Sequence, residues 1–502
     1  MAQFTRRQFL EDSLLAAAAM AVLPGHGLLA ADESQSKSPN EKLGVAVAGV
    51  HGRGRNHVSN FLYTAETGDS SGDSKRSPRR KDTEITYIID ADEAVGQKCC
   101  EEIAKLQGRK PKFVKDIRKM LDDPSVDIVS TATPNHWHAL AAIWSMRAGK
   151  HVFVEKPASH TVSEGRSIVE AARRYNRICQ VGSQRRTLAG TVDAVQYVLS
   201  GKIGEVKLAR GLCYKFRPSI GPKGEYKVPD SVDYDLWSGP APILPLTRKE
   251  LHYDWHWQWP YGGGDLCNQG VHEMDVARWG LGESGLSKRV FSYGGRLGYE
   301  DAGGTPNTFV TVHEYPDDGK TLVFEVRGLK TDGLRDAKIG VIFYGSDGYV
   351  VLTTYTDGAA FDLKGNLVKK FHGGGNHYAN FLKAVRSGKK EDLNADILEG
   401  HLSAALCHMS NVSYRLGQEA PLSDLKKRLA ELKTNDNALE TLDRVTAHLT
   451  DNGIKIDDMK LRVGPELAFD PAGETFSGND AANHLVTREY REPFVVPAAG
   501  KV

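Results

Sequence analysis

The chain has 502 residues, with 65 Lys and Arg set against 64 Asp and Glu for a net charge of +1. So even a balance gives no global field for nucleic acid or an anionic membrane surface. The six cysteines are too few and too scattered for a disulfide framework, and Cys99 and Cys100 are adjacent, where a mutual bridge would be strained. The length suffices for two or three domains with cores of their own.

The chain opens with Thr5-Arg6-Arg7-Gln8-Phe9-Leu10, then an apolar run from Leu14 to Leu23 and small residues at Leu28-Leu29-Ala30-Ala31. This reads as a twin-arginine export signal over residues 1–31, followed by a linker over 32–41. Pro24 and Gly25 end the apolar run too early for a stable membrane anchor. The expectation is a protein carried already folded by the twin-arginine export machinery, working in the periplasm or otherwise outside the cytoplasm. Such a route suits a chain that takes its cofactor along.

From Lys42 to about Gly182 short apolar runs alternate with helical stretches. Expected strands lie at Leu43–Ala48, Ile85–Ile89, Phe113–Val114, Val126–Thr131, Val152–Val154 and Ile178–Val181. This alternation predicts an N-terminal doubly wound parallel sheet over 42–183, with ligands at the carboxyl ends of its strands. A Ser/Gly/Asp-rich stretch from Thr64 to Asp82, with the basic cluster Lys75 to Lys81, reads as a solvated loop. After about Gln184 the rhythm becomes that of a large, mostly antiparallel sheet with a few helices, giving an α+β domain over 184–420. A C-terminal extension over 421–502 has surface helices and a polar, then Pro-rich tail. The fold class is α/β.

Gly49, Gly52, Arg53 and Gly54 sit between the first strand and the first helix, where backbone amides can hold a pyrophosphate. His51 stands where a strict G-x-G-x-x-G turn has its second glycine. Asp90 ends the next strand, where an acid binds adenosine ribose hydroxyls. It lies 41 residues after Gly49, and the Thr64–Asp82 loop accounts for the excess over the usual ~20. No basic residue adjoins Asp90, so NAD is favoured, with NADP the alternative.

Thr133, Pro134, Asn135 and His138 follow the fourth strand, and Glu155-Lys156-Pro157 follows the fifth, both at the nicotinamide end. An ammonium in a cleft there can serve as acid or base to a sugar hydroxyl once burial lowers its pKa. A second dense segment runs from His252 to Asp275. Its Trp255 and Trp257 suit the C–H faces of a sugar, and Asp265 suits its hydroxyls. Asn268 and His272 stand four apart, so both face one way if the helix has begun. His272, Glu273 and Asp275 match no standard metal spacing, and no metal is expected.

Taken together, Glu155-Lys156-Pro157, the Thr133–His138 segment and the Gly262–Asp275 run resemble the Gfo/Idh/MocA family of nicotinamide-dependent sugar and polyol oxidoreductases. The resemblance covers about residues 42 to 420 and is closest to exported members. It implies that Lys156 and His272 assist proton transfer while a hydride moves to or from the nicotinamide. Many members carry an aspartate at the position of Asn268, and an amide can orient a hydroxyl but not take its proton. The implied function is hydride transfer between a tightly held NAD and a sugar, polyol or glycoside hydroxyl. The alternatives are glycoside cleavage through a transient ketone, with no net redox change, and carbohydrate binding without catalysis. A homo-oligomer is also expected, since an antiparallel sheet with an open face is compatible with one.

Overall fold

The computed structural model describes residues 42–64, 77–456 and 459–502. The export signal, the linker and residues 65–76 of the basic loop lie outside them. Among the described residues, no helix is long and apolar enough to cross a membrane.

The first sheet has six parallel strands: β1 (Leu43–Ala48), β2 (Thr83–Ile89), β3 (Lys112–Val114), β4 (Ile128–Thr131), β5 (His151–Val154) and β6 (Cys179–Val181), in the order β3-β2-β1-β4-β5-β6. Between them run helices α1 (Gly54–Leu62), α2 (Glu93–Gln107), α3 (Asn135–Arg147) and α4 (Val162–Arg174). Both sheet faces are covered, so the central strands are apolar throughout: Val45, Val47, Ile128, Val129, Val152 and Phe153 are fully buried. The strand order reverses direction between β1 and β4, and that switch point places the crevice at their carboxyl ends.

The second sheet contains β7 (Val206–Cys213), β8 (Arg289–Gly295), β9 (Thr308–Tyr315), β10 (Lys320–Arg327), β11 (Ile339–Gly345), β12 (Gly348–Leu352), β13 (Asp357–Asp362) and β14 (Leu367–His372). All pairings in it are antiparallel except β7 with β10. Helices Val271–Gly280 and Ile397–Arg415 pack one face.

The opposite face is not open over β8 to β10. Helices Leu422–Glu431 and Ala438–Asp451, expected at the surface, bury Leu425, Leu429, Leu442, Val445 and Leu449 against Phe291, Tyr293, Val310, Val312 and Val323. Each such side chain contributes about 1.5–3 kcal/mol on burial. Their alternation with exposed polar residues suits a helix lying flat on a sheet. Beneath them Glu325 accepts from Arg444 (2.6 Å), Arg327 (3.0 Å) and the Tyr214 hydroxyl (2.7 Å) and also pairs with Arg210. This set of donors outweighs burial and holds its carboxyl at about 2.

The chain returns to the first domain twice. Helix His377–Ser387 places Tyr378, Phe381 and Leu382 in the core beneath β1 and β5. Later the tail sets Phe494, Val496 and Val502 into the core that holds Trp137 and Leu140 of α3. Phe494 meets Trp137 edge-on at 5.4 Å, and the Arg118 guanidinium lies 5.0 Å from its ring centre.

Candidate active site

A cavity of about 330 Å³ opens along the carboxyl ends of β1 to β5, and the second domain supplies its far wall. Gly49, Gly52, Arg53, Asp90, Thr133, Pro134, Asn135, His138, Glu155 and Lys156 all line it, with Trp255, His256 and Asn268 opposite.

The glycine turn has the shape of a dinucleotide cradle. Gly49 has φ +77°, and a Cβ there would lie 2.8 Å from the Ala132 oxygen. A Cβ on Gly54 would come within 1.9 Å of the Gly49 oxygen, so the third glycine sets how closely strand and helix pack. At Gly52, by contrast, a Cβ would meet nothing within 4 Å. Asp90 accepts the amides of Val50 (2.8 Å) and Asp92 (3.0 Å). Burial still raises its pKa, and the carboxyl keeps acceptor capacity for a ribose diol. Lys115 also lines the cavity, and its ammonium pairs with Glu93 at 2.8 Å. These residues fit NAD.

At the other end Glu155 organises the charges. Its Oε1 accepts from Arg53 Nε at 2.8 Å and lies 3.1 Å from His57 Nε2, while Oε2 accepts the Lys156 amide at 3.1 Å. The far side of the His57 ring meets the Ser130 hydroxyl at 2.7 Å. Burial would raise the Glu155 carboxyl, but Arg53, His57 and Lys156 together hold it well below the usual carboxylate range. Lys156 donates to the Asn268 carbonyl oxygen at 2.5 Å. Desolvation lowers its pKa, with Glu155 opposing and Arg53 reinforcing. His138 ties the two motifs together, its Nδ1 2.6 Å from Pro157 O and its Nε2 2.8 Å from Thr133 O.

Asn268 and His272 do not sit together in one α-helix, as a spacing of four would have them do. Residues Leu266–Gly270 form a π turn, and the α-helix starts only at Val271. Asn268 lines the cavity, whereas His272 is not among the lining residues and packs its ring 5.3 Å from Tyr355. Burial first, then the charge of Lys156, pushes His272 well below its ordinary pKa, and its Nδ1 has no hydrogen-bond partner.

The expected substrate residues divide. Trp255 lines the cavity, stacked on His256 at 3.6 Å, but Trp257 and Asp265 do not line it. Asp265 is held by Arg217 at 2.6 and 3.1 Å, and the same guanidinium lies 5.2 Å from the Trp257 ring centre. That ion pair commits the Asp265 carboxylate to the protein.

Sequence reasoning missed His51, His252 and His256 as lining residues. The last two sit in the aromatic segment already singled out, so their density was the available signal. His57 lies inside α1 with nothing in its spacing to mark it. Among the described residues no group of three or more His, Cys, Asp and Glu side chains is placed to hold a metal ion. All six cysteines are buried free thiols.

Comparison with known proteins bears on the two domains. A family model described as the NAD-binding Rossmann fold of an oxidoreductase family matches residues 43–183, and its partner, a C-terminal alpha/beta domain, matches 200–449. Levoglucosan dehydrogenase of Pseudarthrobacter phenanthrenivorans is 30% identical over 178 residues, 35% of this chain and 38% of that protein. An alpha-N-acetylgalactosaminidase of Shewanella oneidensis is 32% identical over 170 residues, 33% of this chain and 34% of that one. The aligned part thus spans little more than a third of either relative. Among solved structures, a levoglucosan dehydrogenase with NADH and levoglucosan superposes with TM-score 0.53 at 19% identity, covering 73% of this chain and 95% of that one. The WlbA dehydrogenase from Bordetella pertussis, with NADH and UDP-GlcNAcA, gives 0.51 at 19% identity, covering 73% and 94%. At such identities the likeness is one of fold.

Proposed function

The chain belongs to the Gfo/Idh/MocA oxidoreductase family, and from that premise we propose that it oxidises or reduces a carbinol of a sugar, polyol or glycoside with NAD as its cofactor. The observation that carries this reading is the position of Lys156. Its ammonium lies against the Asn268 carbonyl in the same cavity that begins at the glycine turn.

NAD bound in the cradle of Gly49, Gly52, Arg53 and Asp90 supplies the hydride acceptor or donor. The protein's own residues handle the proton. Lys156, its pKa lowered by desolvation, takes the proton of the substrate hydroxyl or returns it to the carbonyl oxygen. Glu155 and Arg53 fix the charge around it, and His138 holds the backbone on either side of the motif. The Asn268 amide orients a hydroxyl, and the Trp255 face shuts water from the carbinol. His272 stays neutral within electrostatic reach of Lys156, and its Nδ1 has no hydrogen-bond partner.

Replacing Lys156 by Ala tests this. Turnover should fall by about 10²–10⁴-fold while NAD binding persists. Unchanged turnover would remove Lys156 from the reaction, and loss of sugar binding alone would favour a carbohydrate-binding role.

A second reading, glycoside cleavage by oxidation, elimination and re-reduction, draws on the likeness to an alpha-N-acetylgalactosaminidase. Product analysis on an aryl glycoside separates the two, since a freed aglycone without accumulated NADH marks cleavage and a keto-sugar with NADH marks dehydrogenation. The reading also includes export, supported by Arg6-Arg7 and the apolar run after them, and testable by fractionating cells that carry Arg6→Lys/Arg7→Lys. Self-association draws on the part of the sheet that the C-terminal helices leave uncovered, where Tyr349 and Phe361 stack at 5.1 Å. Light scattering of the purified protein tests it.

A further inference from the structure

His51 occupies the place in the glycine turn where the backbone ordinarily lies closest to a pyrophosphate. Its exposed ring stacks face to face on His252 of the second domain, with centroids 4.2 Å apart and planes 12° from parallel. His252 is fixed in turn. Its Nε2 lies 2.9 Å from Asp92 Oδ2, while the other oxygen of that carboxylate caps α2 by accepting the amides of Ala94 (3.0 Å) and Val95 (3.3 Å). Capping and histidine pairing use different oxygens, so neither contact competes with the other.

The loop between β2 and α2 is stitched to the second domain on both sides of Asp92. The Asp233 amide donates to Ala91 O and the Glu93 amide to Ser231 O, each at 2.9 Å. Both imidazoles line the cavity, together with Gly52 at the phosphate end and Asp90 at the ribose end. A dinucleotide reaching from Asp90 to Lys156 has to pass this pair.

We propose that His51 and His252 form a clasp across the mouth of the cavity that covers the cofactor's diphosphate and slows its release. The inference rests on the cavity holding NAD, and goes beyond that by assigning retention to two histidines rather than to the glycines of the turn. The stack joins the glycine turn to the second domain, so release requires the rings to part. An imidazole N–H on either ring can donate to a phosphate oxygen while the ring face excludes water. Asp92 keeps His252 in place whether or not the nucleotide is present.

The test is the release rate of NADH from the full-length protein, followed by its fluorescence after mixing with excess NAD. His252→Ala and His51→Gly should each release NADH at least tenfold faster than the wild type. The double variant should gain little beyond either single change, because one missing ring already breaks the stack. His51→Gly installs the residue that dinucleotide turns ordinarily carry, so it decides the matter should His252→Ala fail to fold. Variants that bind NADH but release it at the wild-type rate overturn the clasp alone. A wild type that binds no NADH overturns the clasp together with the cofactor assignment beneath it.

Discussion

Arg53 and Glu155 meet across 2.8 Å, joining the glycine turn of the first strand to the end of the fifth, where Lys156 begins. The two ends of the cofactor cavity are therefore held by one ion pair. Glu155 is also the only carboxylate among the groups hydrogen-bonded to Arg53 or His57 in the described residues. Glu155→Gln leaves Arg53 and Lys156 without their counter-anion and should destabilise the fold by about 1.5–3 kcal/mol at pH 7, measured by urea unfolding. Because the folded-state pKa is depressed, this contribution is complete above the unfolded value of about 4.3 and fades as pH falls through the folded one.

Asn268→Asp would place a carboxylate where Lys156 lies against the backbone. A negative charge there favours the ammonium and should move the Lys156 pKa upward. The pH profile of kcat/KM should shift to higher pH by a unit or more on the limb that Lys156 governs. An unmoved limb would show that another group controls it.

Glu474, in the turn of the hairpin formed by Leu467–Asp470 and Thr475–Phe476, ties it to helix Ile397–Arg415 through His401 Nε2 at 2.7 Å and to α4 through Arg166 at 2.5 Å. Burial opposes its ionisation, yet these partners lower its carboxyl to about 2. The contribution is fully present above the unfolded pKa and is lost as pH falls from about 4.5 to about 2. Glu474→Gln should cost about 2–3 kcal/mol at pH 7. Thermal melts of wild type and variant should then converge only below about pH 2.

Phe494 is 1% exposed between Trp137 and the Arg118 guanidinium. Phe494→Ala should cost about 3–5 kcal/mol through the cavity it leaves. Calorimetry should show a melting temperature lower by several degrees. An unchanged melting temperature would mean that the tail is dispensable to the first domain.

The parallel sheet was legible because a strand buried on both faces reads as an uninterrupted apolar run, as at Val45 to Ala48. The same logic reads strands of the second sheet at Val206–Tyr214, Val290–Tyr293, Phe309–Tyr315, Thr321–Arg327, Gly340–Tyr344 and Tyr349–Thr354. It missed Asp357–Asp362 and Leu367–His372, an edge hairpin whose Lys369 and Lys370 face solvent and whose sequence carries almost no apolar alternation. The tail was harder still, since Phe494 and Val496 are isolated apolar residues among prolines, and only their distant partner Trp137 shows why they are there.

At the site, residues carried by strand ends were legible because their place follows from the fold: Asp90, Thr133 and Lys156 all line the cavity. Positions on the far wall depend on a local helical geometry that spacing does not encode. A π turn at Leu266–Gly270 carries Asn268 while His272 belongs to the α-helix that follows, and Arg217, some fifty residues away in the chain, takes Asp265. Neither has a signature within its own segment.

The two returns of the chain to its first domain bear on how the protein breathes. Lobes joined by a single strand can swing apart like a hinge, but here Tyr378 is sunk into one side of the nucleotide lobe and Phe494 into the other. Wide rotation would have to pull both aromatic anchors from their sockets. Opening the crevice by that route carries the cost of bringing two buried aromatic rings into water.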